Sequence, residues 1–194
     1  MYEARKFDLP SLEGISDESV KQHLALYEGY VKNFNAIAAK LAEYAKESTE
    51  KHALALGELV RRKSFEFDGM RLHEYYFAQF EGGAKALDEG SALGTALAAE
   101  YQGYFVEYMK AIGNMRGPGW AIAYYDPQAK EFQTGFIGEQ HQGHFATLPI
   151  ILALDVWEHA FLLDYGATGK GKYLDAFFKN LNWAVIEKRF EQVA

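Results

Sequence analysis

The sequence contains no cysteine. Disulfide staples, thiolate zinc sites, iron–sulfur clusters and cysteine nucleophiles are excluded together. A basic excess is also missing: 20 Lys and Arg stand against 27 Asp and Glu, a formal charge of −7. That balance argues against a chain that grips nucleic acid over a broad basic surface. No apolar run approaches the roughly 20 residues of a membrane span, so no membrane partner is expected. The first residues, Met1-Tyr2-Glu3-Ala4-Arg5-Lys6, carry no apolar stretch, and the expected location is cytoplasmic. Internal repeats and low-complexity tracts are absent as well. What is present is 194 residues, 49% apolar and 24% charged, enough for one compact domain or two small ones sharing a core. Thirteen Tyr and 14 Phe point to a well-filled core or a lined pocket.

Ser16 followed by Asp17 and Glu18 reads as a helix start, a hydroxyl cap with acids complementing the dipole. Val20, Leu24, Tyr27, Val31, Phe34, Ala38 and Leu41 then recur at steps of four and three, predicting an amphipathic helix to about Lys46. Glu47–Lys51 reads as a turn. A second helical region from Ala53 to about Phe80, with an interruption near Phe65–Gly69, ends at Glu81-Gly82-Gly83. Ala92–Ala111 reads as one or two helices, with Gly103 as the weak point, and Gly113–Gly119 as a loop. Trp120–Tyr125 and Glu131–Ile137 form a β-hairpin across Asp126-Pro127, and Pro149–Leu154 is a buried third strand. Short helices are predicted over Trp157–Leu163 and Lys172–Trp183. The class is α+β: a long N-terminal α-helical hairpin, then a mixed part with a three-stranded antiparallel sheet. The expected division is residues 1–83 and 84–194, with a metal site between them.

Six histidines are present, at 23, 52, 73, 141, 144 and 159. Without thiols, a transition-metal site has to be built from imidazoles and carboxylates. Asp155 and His159 lie four apart, which puts them on one side of a helical turn directly after the buried strand. An Asp there is costly unless something cationic satisfies it; an N-cap Asp beside a packed histidine is the alternative. His73 sits on an aromatic-rich helix, where a satisfied core histidine is the common case. His23 and Tyr30 are seven apart, an angular offset of only about 20° on an ideal helix, so both lie on the inner face. Together these signals suggest three imidazoles and one carboxylate, drawn from two helices and one strand–helix turn.

Asp155-Val-Trp-Glu-His-Ala-Phe161, preceded by Pro149-Ile-Ile-Leu152, resembles the signature of the iron/manganese superoxide dismutases. Tyr30-Val31, His73, Gly117-Pro-Gly-Trp-Ala121, Lys172-Tyr-Leu-Asp-Ala-Phe-Phe178 and Asn182-Trp183 extend the resemblance over nearly the whole chain. It implies superoxide as the substrate, disproportionated to O₂ and H₂O₂ by alternating reduction and oxidation of one Fe or Mn ion per chain. A degenerate relative that binds metal or is structural is the alternative. The ligands it implies are His23, His73, Asp155 and His159. Tyr30 would stand at the entrance and Trp120 and Trp157 would wall the site. Glu158 would reach the partner subunit's His159 in a homodimer, or in a tetramer built from it.

The chain departs from the family pattern in three places. The ligand histidine of the first helix commonly precedes the Tyr-Val pair by eight residues, which here falls on Gln22; His23 is one residue out of that register. A regular α-helix between His23 and Tyr30 then suffices, with Gln22 turned away. Leu26 and Leu162 stand where a histidine and a tyrosine usually meet across the interface. Lastly, the outer-sphere glutamine has no clear counterpart; within Glu139-Gln-His-Gln-Gly-His144, His141 is favoured, with His144 and Gln142 as rivals. A histidine at that position inclines the metal toward iron.

Overall fold

The computed structural model describes residues 1–47 and 49–194. Helix α1 spans Asp17–Tyr44, and the Ser16 hydroxyl caps it by accepting the Ser19 N–H at 3.1 Å. Its fully buried face is Ser19, His23, Tyr27, Val31, Phe34 and Ile37, whereas the predicted stripe members Val20 and Leu24 are only half-buried. A short 3₁₀ helix at Thr49–His52 occupies part of the expected turn, of which Ser48 lies outside the described residues. Helix α2 (Ala53–Ala78) returns antiparallel to α1. Partners ascending in one helix descend in the other: Tyr27 with Glu74, Asn33 with Glu66, and Tyr44 stacked on His52.

The interruption expected near Phe65–Gly69 does not occur, and α2 is continuous there. Gly69 serves a close approach instead of a break: a Cβ on it would lie 2.6 Å from the ring of Tyr30. Helices α3 (Ala92–Tyr101) and α4 (Phe105–Gly113) are separate, divided by Gln102 and Gly103 at φ 53° and 89°.

Strands β1 (Gly119–Asp126), β2 (Glu131–Gly138) and β3 (Ile150–Asp155) form an antiparallel sheet in the order β2-β1-β3. The outer edge of β3 is closed by a side chain. The buried Gln79 amide accepts from the Ala153 N–H and donates to its carbonyl, each at 2.9 Å, as a neighbouring strand would. Arg189 completes the seal, donating to Gln79 Oε1, the Ile151 carbonyl and the Tyr75 carbonyl.

Helix α5 covers Glu158–Tyr165. The single helix expected over Lys172–Trp183 is two, α6 (Lys170–Asn180) and α7 (Trp183–Glu191). The chain straightens at Leu181-Asn182 because Lys85 pairs with it: Lys85 N–H to the Leu181 carbonyl, Trp183 N–H to the Lys85 carbonyl. One apolar cluster runs from Tyr27 and Met70 of the helical hairpin through β1 and β3 to Phe177 and Phe190.

Candidate metal centre

His23 projects from the second turn of α1, His73 from the last two turns of α2, Asp155 ends β3 and His159 opens α5. His23 and Asp155 are 132 residues apart in the chain. The Nε2 atoms of His23 and His159 each lie 3.1 Å from Asp155 Oδ2, and that of His73 lies 3.6 Å away. One ligand atom from each residue falls within 4.8 Å of the other three. Ligand atoms about 2.1 Å from a shared ion, at tetrahedral to right angles, are separated by about 3.0–3.4 Å, which the two 3.1 Å separations match and the 3.6 Å separation slightly exceeds.

His73 decides how the cluster must be read. Its Nδ1–H donates to the Gly69 carbonyl at 2.6 Å, and a carbonyl can only accept. The neutral ring therefore has a bare lone pair at Nε2. That atom is buried with no hydrogen-bond partner and faces a carboxylate oxygen. A cation held between them would satisfy both lone pairs at once. Burial also lowers the His73 imidazole to about 3, which keeps its own proton from supplying that charge. Burial lowers His23 too, against the pull of Asp155. At Asp155 burial pushes upward, but His159 and His23 overcome it and hold the carboxyl below its ordinary range. Imidazoles whose charged form burial opposes, His23 and His73, beside an ionised carboxylate suit a divalent or trivalent ion.

Asp155 belongs to the strand rather than to a helical turn, and the N-cap of α5 is Trp157. The Trp157 N–H donates to Asp155 Oδ1 at 2.9 Å, which turns Oδ2 toward the imidazoles. Both predicted tryptophans flank the donors: Trp120 meets His73 edge-on at 5.1 Å, and Trp157 stacks on His159 at 5.9 Å. Tyr30 tilts over His73 at 5.1 Å. Gln22 faces solvent and bonds Glu18, and α1 is α-helical throughout. Glu158 is exposed beside His159.

The loop after β2 departs from expectation. His141 turns to the Phe65 ring at 5.6 Å, and Gln142 is exposed. Gln140, passed over in the sequence reading, is the fully buried residue of the loop. Trp120 Nε1–H donates to its Oε1 at 2.7 Å, and its Nε2–H donates to the Tyr30 hydroxyl at 2.9 Å. It spans the gap between two rings that both rest on His73. A tight turn causes the shift: Gly138 and Gln142 exchange backbone bonds and Glu139 takes φ 52°, so the residue between them points inward.

The family model for iron/manganese superoxide dismutases, C-terminal domain, matches residues 90–189. A protein of Aquifex pyrophilus named as an iron superoxide dismutase is 32% identical, the alignment covering 94% of this chain and 87% of that one. An iron superoxide dismutase of Pyrobaculum aerophilum is 29% identical over 88% and 81% of the two chains. A manganese superoxide dismutase of Halobacterium salinarum is 31% identical over 96% and 92%.

Proposed function

We infer the reaction from one premise: the chain belongs to the iron/manganese superoxide dismutase family. The protein is a superoxide dismutase with one Fe or Mn ion per chain, turning two superoxide ions and two protons into O₂ and H₂O₂. A bound ion of this kind supplies a one-electron couple, taking an electron from one superoxide and returning it to the next. The chain's own residues do the rest. His23, His73, Asp155 and His159 would hold the ion, with Asp155 as the one carboxylate among them. Burial pushes the Tyr30 phenol up, with the charges of Asp155 and Glu66 adding to it, so Tyr30 keeps its proton at neutral pH. Because Gln140 donates to the Tyr30 oxygen, the phenolic hydrogen is left to point elsewhere. Gln140 and Tyr30 together hold hydrogen-bond donors in line at the edge of the donor set, and Trp120 and Trp157 keep bulk water from its flanks. A net charge of −7 opposes an anionic substrate, so steering is local. Arg62, 3.9 Å over the Phe65 ring beside Tyr30, is paired with Glu66 at 2.8 Å, so that pair adds little net positive charge on that side.

The observation that carries this reading is the bare Nε2 of His73 facing Asp155 Oδ2. A degenerate relative without turnover is disfavoured by the complete donor set. Metal analysis of the purified protein, paired with turnover of iron- and manganese-loaded forms, tests it. About one redox ion per chain with dismutation is expected; zinc alone, or no turnover in either form, overturns it. The sequence-based leaning to iron rested on a histidine beside the centre, and Gln140 removes that ground. Iron is favoured instead by the names of the relatives from Aquifex and Pyrobaculum.

The finer parts of the reading have their own supports. Residues 1–83 and 84–194 act as two units, each lending two of the four donors. A homodimer, alone or paired into a tetramer, is supported by exposed Glu158 next to His159 and by exposed Leu26 and Leu162. No helix among the described residues is long and apolar enough to cross a membrane. Cytoplasmic location belongs to the same proposal, and fractionation against marker enzymes tests it.

A further inference from the structure

Beyond the donors and the side chain of Gln140, a second set of bonds acts on the backbone of Gln140. His144 Nε2 lies 3.0 Å from the Gln140 carbonyl, and His144 Nδ1 lies 2.7 Å from the Tyr124 hydroxyl. The carbonyl can only accept, so the proton of the ring is on Nε2. Nδ1 is then bare in the neutral ring and accepts from the Tyr124 O–H. The tautomer is thus set from β1, by a tyrosine that is itself buried.

Trp120 and Tyr124 are four apart on β1, so the pleat sends both side chains to one face of the sheet. Trp120 grips the Gln140 amide oxygen. Tyr124, acting through His144, grips the Gln140 carbonyl. One strand therefore holds one residue at both ends, and the closed circuit runs Trp120, Gln140, His144, Tyr124 and back along β1. We propose that His144 is a positioning residue, held in its Nε2–H form by Tyr124, which fixes the Gln140 peptide so that the amide meets Tyr30 and Trp120. Gln140 sits in a loop with a left-handed residue on one side and a glycine at φ 99° three residues on. The Gly138–Gln142 backbone bonds close the turn on either side of Gln140, but the His144 bond is what holds the Gln140 carbonyl itself, and its loss loosens the aim of the amide. Asp68 and His141 are the charged and titratable neighbours of this pair, and neither is bonded to the Gln140 carbonyl.

The inference rests on the reading that Gln140 touches the centre, so the test separates the two. In the iron-loaded protein, His144→Phe, Tyr124→Phe, Gln140→Ala and the double variant Gln140→Ala/His144→Phe are compared. Metal content, visible spectrum, azide dissociation constant, kcat and KM are the readouts. His144→Phe is expected to keep its iron, to change the azide constant at least threefold with a shifted spectrum, and to lower kcat about tenfold, the usual scale for outer-shell groups. Tyr124→Phe should do the same to a smaller extent, and His144→Gln, which can still donate to the carbonyl, should recover most of the loss. In the double variant the His144 effect should vanish, because its target is gone. If Gln140→Ala alters these readouts while both His144→Phe and Tyr124→Phe match the parent, the positioning role is wrong and the role of Gln140 stands. If Gln140→Ala itself changes nothing, the reading of Gln140 fails first. If His144→Phe does not fold, Tyr124→Phe decides, since it removes one oxygen only.

Discussion

At the scale of single residues, the centre depends on where lone pairs and protons are fixed. Asp155 directs one oxygen to the Trp157 N–H and the other to the imidazoles, and His73 spends its only proton on Gly69. Replacing His23, His73, Asp155 or His159 with Ala is expected to cut bound Fe or Mn below about a tenth of the parent level, since outer groups cannot substitute for a lost ligand. Gln22→Ala should retain both metal and activity. Metal analysis of the five variants checks the assignment, and full metal in any of the four ligand variants removes that residue from the set. Gly69 offers a stability test. A helical Gly→Ala change ordinarily stabilises by about 1 kcal/mol. Here the added methyl would collide with the Tyr30 ring, an overpacking cost of about 1–3 kcal/mol. Net destabilisation in urea, together with altered turnover, is expected; a more stable variant would mean that Tyr30 does not rest on this helix.

Among the elements, those whose signals are local were legible. Ser16 capping α1, the hairpin of β1 and β2, and the apolar run of β3 each follow from residues next to one another in sequence. For the donors, spacing suggested no more than three imidazoles and a carboxylate and set Asp155 on a helical turn where the structure has a strand end; the set of four came from the family resemblance. Features set by distant partners were not legible. The break between α6 and α7 depends on Lys85, about a hundred residues upstream. Gly69 looked like a breaker because nothing beside it in sequence shows the Tyr30 ring. Gln140 gave no signal at all, since an amide has no chemistry until Trp120 and Tyr30 reach it, 20 and 110 residues away. Gln79 is of the same kind, and its replacement measures what a strand-like side chain is worth. Gln79→Leu would strand the Ala153 N–H and carbonyl in a dry core and deprive Arg189 of an acceptor. The expected cost is about 2–4 kcal/mol by denaturant unfolding; a loss under about 0.5 kcal/mol would show that β3 needs no such closure.

For the whole molecule, the closed edge of β3 bars strand pairing with another copy on that side, and the proposed dimer contact is instead on helices. Leu26 on α1 and Leu162 on α5 are 41% and 46% exposed, large apolar side chains, and Leu162 lies one helical turn beyond Glu158. Leu162→Glu is expected to shift a dimer to monomer at micromolar concentration in sedimentation velocity, while Leu54→Glu, at an exposed site on the far part of α2, should leave it unchanged. An equal response of both variants would place the contact elsewhere. The separation of the donors along the chain sets a timetable as well. His23 and His73 are made early in synthesis, whereas Asp155 follows His23 by 132 residues and His159 comes later still. Neither pair is a site by itself, and closing so long a loop comes late in folding. The growing chain therefore carries no complete donor set until the sheet has formed, and an ion that needs all four donors would be taken up only by the nearly completed fold.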